Sequence, residues 1–266
     1  MKKTIGVIFA VMLAFACGAA TAYASQSYVI GGLGMTLELP DGWTVFTRDM
    51  DPGDKAFEVM GADKQTVDEF FRESGIYLDA VSEDKTLEIA VSGRKNTDGI
   101  SDLSSLPEAE KQKKLGAIKD ALAQNYTVTA SSQSDFRQAT FLCTDMSASL
   151  NDETIYIREY ATVINGSDVA VTMCSYSGEL TEESKEILSG VMESLVITEV
   201  PEQYETPAAG DARKAGRSQG ILGGSWVWDV IAGVTVLGCI IYLILTSSKR
   251  KGAEKRDKEG KEQPGA

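Results

Sequence analysis

The sequence predicts an α+β domain, a single antiparallel sheet with helices packed against it, plus one C-terminal transmembrane helix. Three observations predict it. Segments alternating apolar and polar residues recur between about residues 35 and 200, the later ones joined by short turn sequences. Amphipathic stretches at helical spacing fall in the longer connections. A 20-residue apolar run, Trp226 to Leu245, stands apart from both and ends on Lys249-Arg250-Lys251.

The first strand is read in "MTLELPDGWTVFT", where Met35, Leu37 and Leu39 alternate with polar residues. Pro40-Asp41-Gly42 supplies a turn, and Trp43, Val45 and Phe46 enter a second strand. Trp43 after such a turn is expected to be a core anchor rather than an exposed binding aromatic. "AFEVMGA", from Ala56, reads as a third strand. Thr66 and Glu69 have the spacing of a capping box, opening a helix with inner face Val67, Phe70 and Phe71 and an end at Gly75. "TLEIAVSG" is a strand with Leu87, Ile89 and Val91 on one face. Pro107 suits the first turn of a helix reaching about Gln124, with Leu115, Ile118 and Leu122 as its apolar stripe.

Three long strands follow, at about 137–149, 154–164 and 169–177. Their connections, "LNDE" and "NGSD", are hairpin turns. Thr181 caps a last helix whose first turn carries Glu182 and Glu183. Its inner face is Ile187, Leu188, Val191 and Leu195, and "LVITEV" closes as a short strand. About 175 residues make one domain able to bury roughly 70% of its unfolded surface.

The strand ending in "LELPDGW", the capped helix, the hairpin "YIREYATVINGSDVAVTMCS" and the terminal "ELTEESKEILSGVMESLVI" together resemble the PsbP-like fold over about residues 33–197. That group includes the thylakoid-lumen PsbP subunit and exported bacterial proteins of the DcrB type. The resemblance implies a non-enzymatic module that binds partners or aids assembly at a membrane. The chain adds a C-terminal span and has no histidine of the kind PsbP uses around metal, so no metal or cofactor is expected to follow from the resemblance.

Both ends of the chain carry targeting signals. Residues 1–24 read as a cleaved signal peptide: Lys2 and Lys3, an apolar core from Ile5 to Ala16, then Ala22-Tyr23-Ala24 before the cleavage point. Lipoprotein processing at Cys17 is the rival, but Ala14 stands where a leucine-like residue is wanted. The exported domain is 25–200. Residues 201–224, rich in Pro, Ala, Gly, Ser and charge, form a tether. Residues 225–246 cross the bilayer, with Trp226 and Trp228 at one interface and Tyr242 near the other. Residues 247–266 make a basic cytoplasmic tail. Asp229 lies about one turn inside the Trp226 end, within reach of headgroup water. It is expected to be a tolerated interfacial acid, with a partner contact as the alternative. The topology expected is a bacterial single-pass type I membrane protein with its domain outside the cytoplasm.

The whole chain has a net charge of −13. Without the leader and tail, 35 acids face 17 bases, about −18. Nucleic acid is excluded as a partner, since phosphates need a basic footprint. The expected partners are the lipid bilayer, through 225–246, and an extracytoplasmic protein that is basic. An acidic surface that only keeps an exported domain soluble is the plainer reading.

The chain contains no histidine, which removes Ser-His-Asp and Cys-His catalysis and HExxH zinc sites. No catalytic or metal residue is assigned, and no cofactor-binding residue is identifiable. Asp49, Asp51 and Asp54 in "DMDPGD" alternate as calcium ligands do, but the later ligands of an EF-hand loop are missing. A solvated acidic loop is expected there. Asn125 and Asn165 begin glycosylation triplets that a bacterial chain would leave idle. Cys143 and Cys174 are the two exported cysteines. The meander sets Cys143 against the Glu159–Tyr160 region from one side and Cys174 against it from the other. Two strand spacings, about 9–10 Å, then separate them, too far for a disulfide. The function these features favour is a membrane-anchored extracytoplasmic interaction or assembly module. An envelope sensor acting through a separate partner is the alternative, and a histidine-independent hydrolase the second.

Overall fold

The computed structural model describes residues 25–60, 63–137, 139–150 and 153–200. Ten strands and four α-helices occur among them: β1 (Ser25–Ile30), β2 (Met35–Pro40), β3 (Thr44–Thr47), α1 (Lys55–Met60), α2 (Lys64–Ser74), β4 (Ile76–Val81), β5 (Leu87–Lys95), α3 (Glu108–Leu122), β6 (Thr127–Phe136), β7 (Ala139–Leu150), β8 (Glu153–Ile164), β9 (Ser167–Ser175), α4 (Glu182–Glu193) and β10 (Val196–Ile197). Among these residues no helix is long and apolar enough to cross a membrane. The expected leader, tether, span and tail, with Cys17 and Asp229, lie outside them.

The α+β class stands, but the single sheet does not. β3–β4–β5–β9–β8–β7–β6 form a seven-stranded antiparallel sheet, and β1–β2–β10 a separate three-stranded one. The chain changes sheets at the Pro40-Asp41-Gly42 turn, where Gly42 has φ +83°, so β2 and β3 are not hairpin partners. Both faces of the large sheet are covered. On one side Phe71, Leu115, Ile118 and Leu122 from the helices pack with Ala90, Ile157 and Cys174. On the other, Leu37 and Leu39 of the small sheet and Leu188 and Val191 of α4 pack on Ile89, Val171 and Tyr160. Trp43 is half-buried against this second core.

Turn chemistry fixes the late strands. Asn165 and Gly166 both have positive φ, +49° and +66°, which is what a two-residue hairpin turn with the right twist demands. Ile164 therefore faces Ser167, and the β8–β9 register follows. Cys143 lies opposite Tyr160, as read. Cys174 lies opposite Ile157, two residues from the expected position. The two side chains also point to opposite faces of the sheet, Cys174 into the first core and Cys143 into the second. Both thiols are free.

Three local readings are corrected. "AFEVMGA" is the start of a helix: the Asp54 carboxylate accepts from the Ala56 amide at 2.9 Å, turning the chain before a strand can start. α2 begins two residues before Thr66, because Asp63 is its cap and accepts from the Thr66 amide at 2.9 Å. Glu69 receives the Gln65 amide instead of reaching back. The structure also holds three strands that the sequence pattern does not announce: β1, β4 and β6. The other helix ends behave as expected. Gly75 closes α2 in the left-handed conformation at φ +71°. Pro107 immediately precedes α3. Thr181 caps α4, its side chain accepting from the Ser184 amide.

Candidate functional site: a buried carboxyl row and a surface groove

The registers of six strands bring Asp79, Ala90, Thr172, Glu159, Thr144 and Ser131 into one cross-strand row. It crosses the face beneath α1–α3. In the adjoining row Glu88 stands opposite Cys174. Asp79, Glu88 and Glu159 are 0%, 1% and 1% exposed, and among the described residues no lysine or arginine is ion-paired with any of them. Three carboxyls without counter-ions in an apolar layer are held there as neutral acids, because burial penalises the charged form most.

Burial pushes Glu159 up to about 7, against a hydrogen bond from Thr172 Oγ1 at 3.3 Å. Burial, and then the neighbouring charge of Glu88, holds Asp79 well above the usual carboxylate range. Glu88 is raised by burial, although the Tyr176 hydroxyl donates to its Oε2. Both oxygens of Asp79, Oε1 of Glu88, Ser92 Oγ and Thr144 Oγ1 have no hydrogen-bond partner among the described residues. A carboxylate pair of this kind is an acid–base site only where a substrate can reach it. These side chains are sealed from solvent.

The cysteines are no better placed for chemistry. Burial raises the Cys174 thiol well above its ordinary value, and the Glu88, Asp79 and Glu159 charges add to the shift. Burial also raises Cys143. A nucleophilic cysteine needs an electropositive, accessible setting; both of these are buried, and Cys174 has three acids around it. We expect both thiols of the folded domain to resist iodoacetamide at pH 8 and to react only after unfolding, as read by mass. Rapid alkylation of Cys174 in the folded state would refute its placement.

The acidic loop is exposed and locally bonded. Asp51 Oδ1 accepts from the Gly53 amide at 2.7 Å, and Asp54 serves α1. Among the described residues no group of three or more acids and cysteines is arranged to hold a metal ion. Asn165 is committed to structure: its Nδ2 donates to the carbonyls of Leu33 at 3.0 Å and Thr198 at 2.8 Å.

An accessible concavity lies elsewhere, on the α4 side of the large sheet. A groove of about 230 Å³ is bounded by Thr129 of β6, Asp145 and Met146 of β7, Tyr156 of β8, and Glu179, Leu180 and Lys185 around the start of α4. Arg158 grips Asp145 with two bonds of 2.6 and 2.7 Å, and Lys185 bonds Glu182 at 2.6 Å. The sequence singles out none of the residues lining the groove. They become neighbours only when the β6–β7–β8 meander and the loop before α4 are folded together.

No family model and no curated protein matches the chain. The PsbP-like resemblance has counterparts among solved structures. The chain is similar to cyanobacterial PsbP (CyanoP) from Synechocystis sp. PCC 6803, with 13% identity over 68% of this chain and 96% of that one, at a TM-score of 0.41. It is similar to LpqN, a protein involved in cell envelope biogenesis of Mycobacterium tuberculosis, with 11% identity over 66% and 87% and a TM-score of 0.38. A Pseudomonas aeruginosa protein of unknown function matches at 11% identity over 65% and 96%, with a TM-score of 0.32. Overlaps this loose leave function to be read from the chain's own residues.

Proposed function

We propose that this chain is a non-enzymatic interaction or assembly module of the cell envelope, tethered to the membrane through residues 225–246 with its domain outside the cytoplasm. The observation that carries this reading is the separation of chemistry from access. Among the described residues the acids and cysteines whose acidity is shifted upward are buried, while the accessible groove is lined by Tyr156, Leu180 and surface side chains. A surface that recognises but does not transform matches that distribution. The partner is a protein with a basic face, attracted by the acidic exported region.

The test separates holding from turnover. Residues 25–200, immobilised, should retain an envelope protein with an affinity that falls as salt rises. Removing the span should weaken recruitment in cells but not direct binding, because the anchor acts by raising local concentration. For the topology, a reporter active only in the cytoplasm should work when fused after Ala266 and fail after Gln203. Turnover of a small substrate by the free domain, lost on Glu159→Gln or Cys174→Ser, would overturn the assignment.

One observation favours the envelope-sensor alternative: Glu159 titrates near 7 inside the core. A chain reading envelope pH could use it, and a pH-dependent change of partner would be its signature.

A further inference from the structure

β6 is, with β3, one of the two edge strands of the large sheet. It is ten residues long, about 33 Å of extended chain, and its alternate backbone N–H and C=O groups face away from β7. Among the described residues no backbone group of Thr127–Phe136 bonds to anything beyond that ladder. Edges of this kind are usually blunted by charged side chains, above all lysine, by proline, by a bulge or by a covering element. "TVTASSQSDF" has neither lysine nor proline. It has one charge, Asp135, and a register irregularity between Val128 and Ala130. Thr129, at that irregularity, is also a wall of the groove. A free ladder and a side-chain pocket therefore meet at one point.

We propose that β6 is the docking edge, taking an extended, basic segment of a partner protein as an eighth strand, with one lysine or arginine side chain of that segment seated in the groove. The inference rests on the interaction-module reading and names its site. Main-chain bonds to β6 supply affinity, and the pocket supplies selectivity. The aliphatic stem of the guest side chain lies over Tyr156 and Leu180. Its charged head meets Glu179, which is exposed and has no ion pair among the described residues, whereas Asp145 and Lys185 are already paired. Charge selects this occupant over a second copy. The exported region carries about −18, so two copies meeting edge to edge would repel, while a basic strand is drawn in.

The test uses the full chain in detergent and a fluorescent acetyl-(Lys-Val)4-amide peptide, with binding read by anisotropy and hydrogen exchange. The peptide should bind and slow exchange across Thr127–Phe136. The same peptide with alternate backbone nitrogens methylated should bind about tenfold more weakly, because it cannot complete the ladder. Acetyl-(Glu-Val)4-amide should be weaker still, and Glu179→Lys should weaken the Lys-Val peptide without altering the unfolding midpoint. No binding, equal binding of the methylated peptide, or protection confined to other strands would each overturn the proposal. So would concentration-dependent protection of β6 without peptide, which would place a second copy on the edge. Capture of an envelope protein undisturbed by Glu179→Lys would sink the edge proposal and leave the interaction-module reading standing.

Discussion

Residues 25–200 will be several kcal/mol more stable to urea at pH 5 than at pH 8. The sign follows from burial. Glu159 in the folded domain holds its proton up to about 7, against an ordinary value of 4.5. Between those values the unfolded chain has released a proton that the folded chain still holds. Each pH unit in that window then shifts the balance toward the unfolded chain by about 1.4 kcal/mol. The contribution is complete below about pH 4.5, declines through the interval and is gone above about 7, a loss of about 3 kcal/mol for this one group. The Asp79–Glu88 pair is raised as well and acts in the same direction. Groups shifted the other way, such as Asp84, lowered by hydrogen bonds from Ser82 and Thr86, lose their contribution only as pH falls toward the carboxylate range. The maximum should therefore lie near pH 5. Domains of this size are held by about 5–15 kcal/mol, so the acid row removes a large share of the margin. Glu159→Gln, uncharged at every pH, should make the profile shallower between pH 5 and 7, leaving the slope due to Asp79 and Glu88. A profile level from pH 5 to 8 would mean that the carboxyls are ionised and solvated, and the row would not be buried as described.

That row explains what the sequence hid. In β5 the alternation of Leu87, Ile89 and Val91 against Glu88, Ala90 and Ser92 reads as a strand with one wet face. Both faces are in fact covered, and Glu88 faces the helices. β4 was missed for the same reason, since Asp79 interrupts an apolar run at a core position. A signal did exist. β9 reads "DVAVTMCS", nearly unbroken in apolar and small residues, the mark of a strand buried on both sides. Its hairpin partner β8 must then bury Glu159. β6 was illegible for the opposite reason: its side chains are polar and mostly exposed or half-exposed, so no period shows. The helices and hairpins whose signals are local, namely Gly75, Asn165-Gly166, Thr181 and the Leu115/Ile118/Leu122 stripe, were legible because caps and turns depend on a few neighbouring residues. The second sheet depends on β10 returning to β2 across some 160 residues, and no local pattern announces such a pairing.

Gly34→Ala will cost about 3–5 kcal/mol, far more than the same change at Gly166. Both glycines have left-handed backbones, φ +61° and +66°, so each substitution carries about 1–2 kcal/mol of backbone strain. Around Gly166 an added methyl meets nothing within 4 Å. At Gly34 it would stand 2.5 Å from the Thr198 carbonyl oxygen and 2.6 Å from Asn165 Nδ2. Neither is the free end of a flexible chain. Thr198 O accepts from Asn165 Nδ2, which also donates to Leu33 O, and the Thr198 amide donates to Gly34 O at 2.8 Å. This clasp joins the turn before β2, the β8–β9 hairpin and β10, the last strand before the segment expected to lead to the membrane. Making room for the methyl breaks two or three of these bonds, about 1 kcal/mol each, on top of the backbone strain. In the Gly34→Ala protein β10 should fray first, with Thr198 amide exchange rising well before the β8–β9 ladder opens. If urea midpoints for Gly34→Ala and Gly166→Ala coincide, the clasp is not closed in solution, and β10 is held to β2 by its own ladder alone.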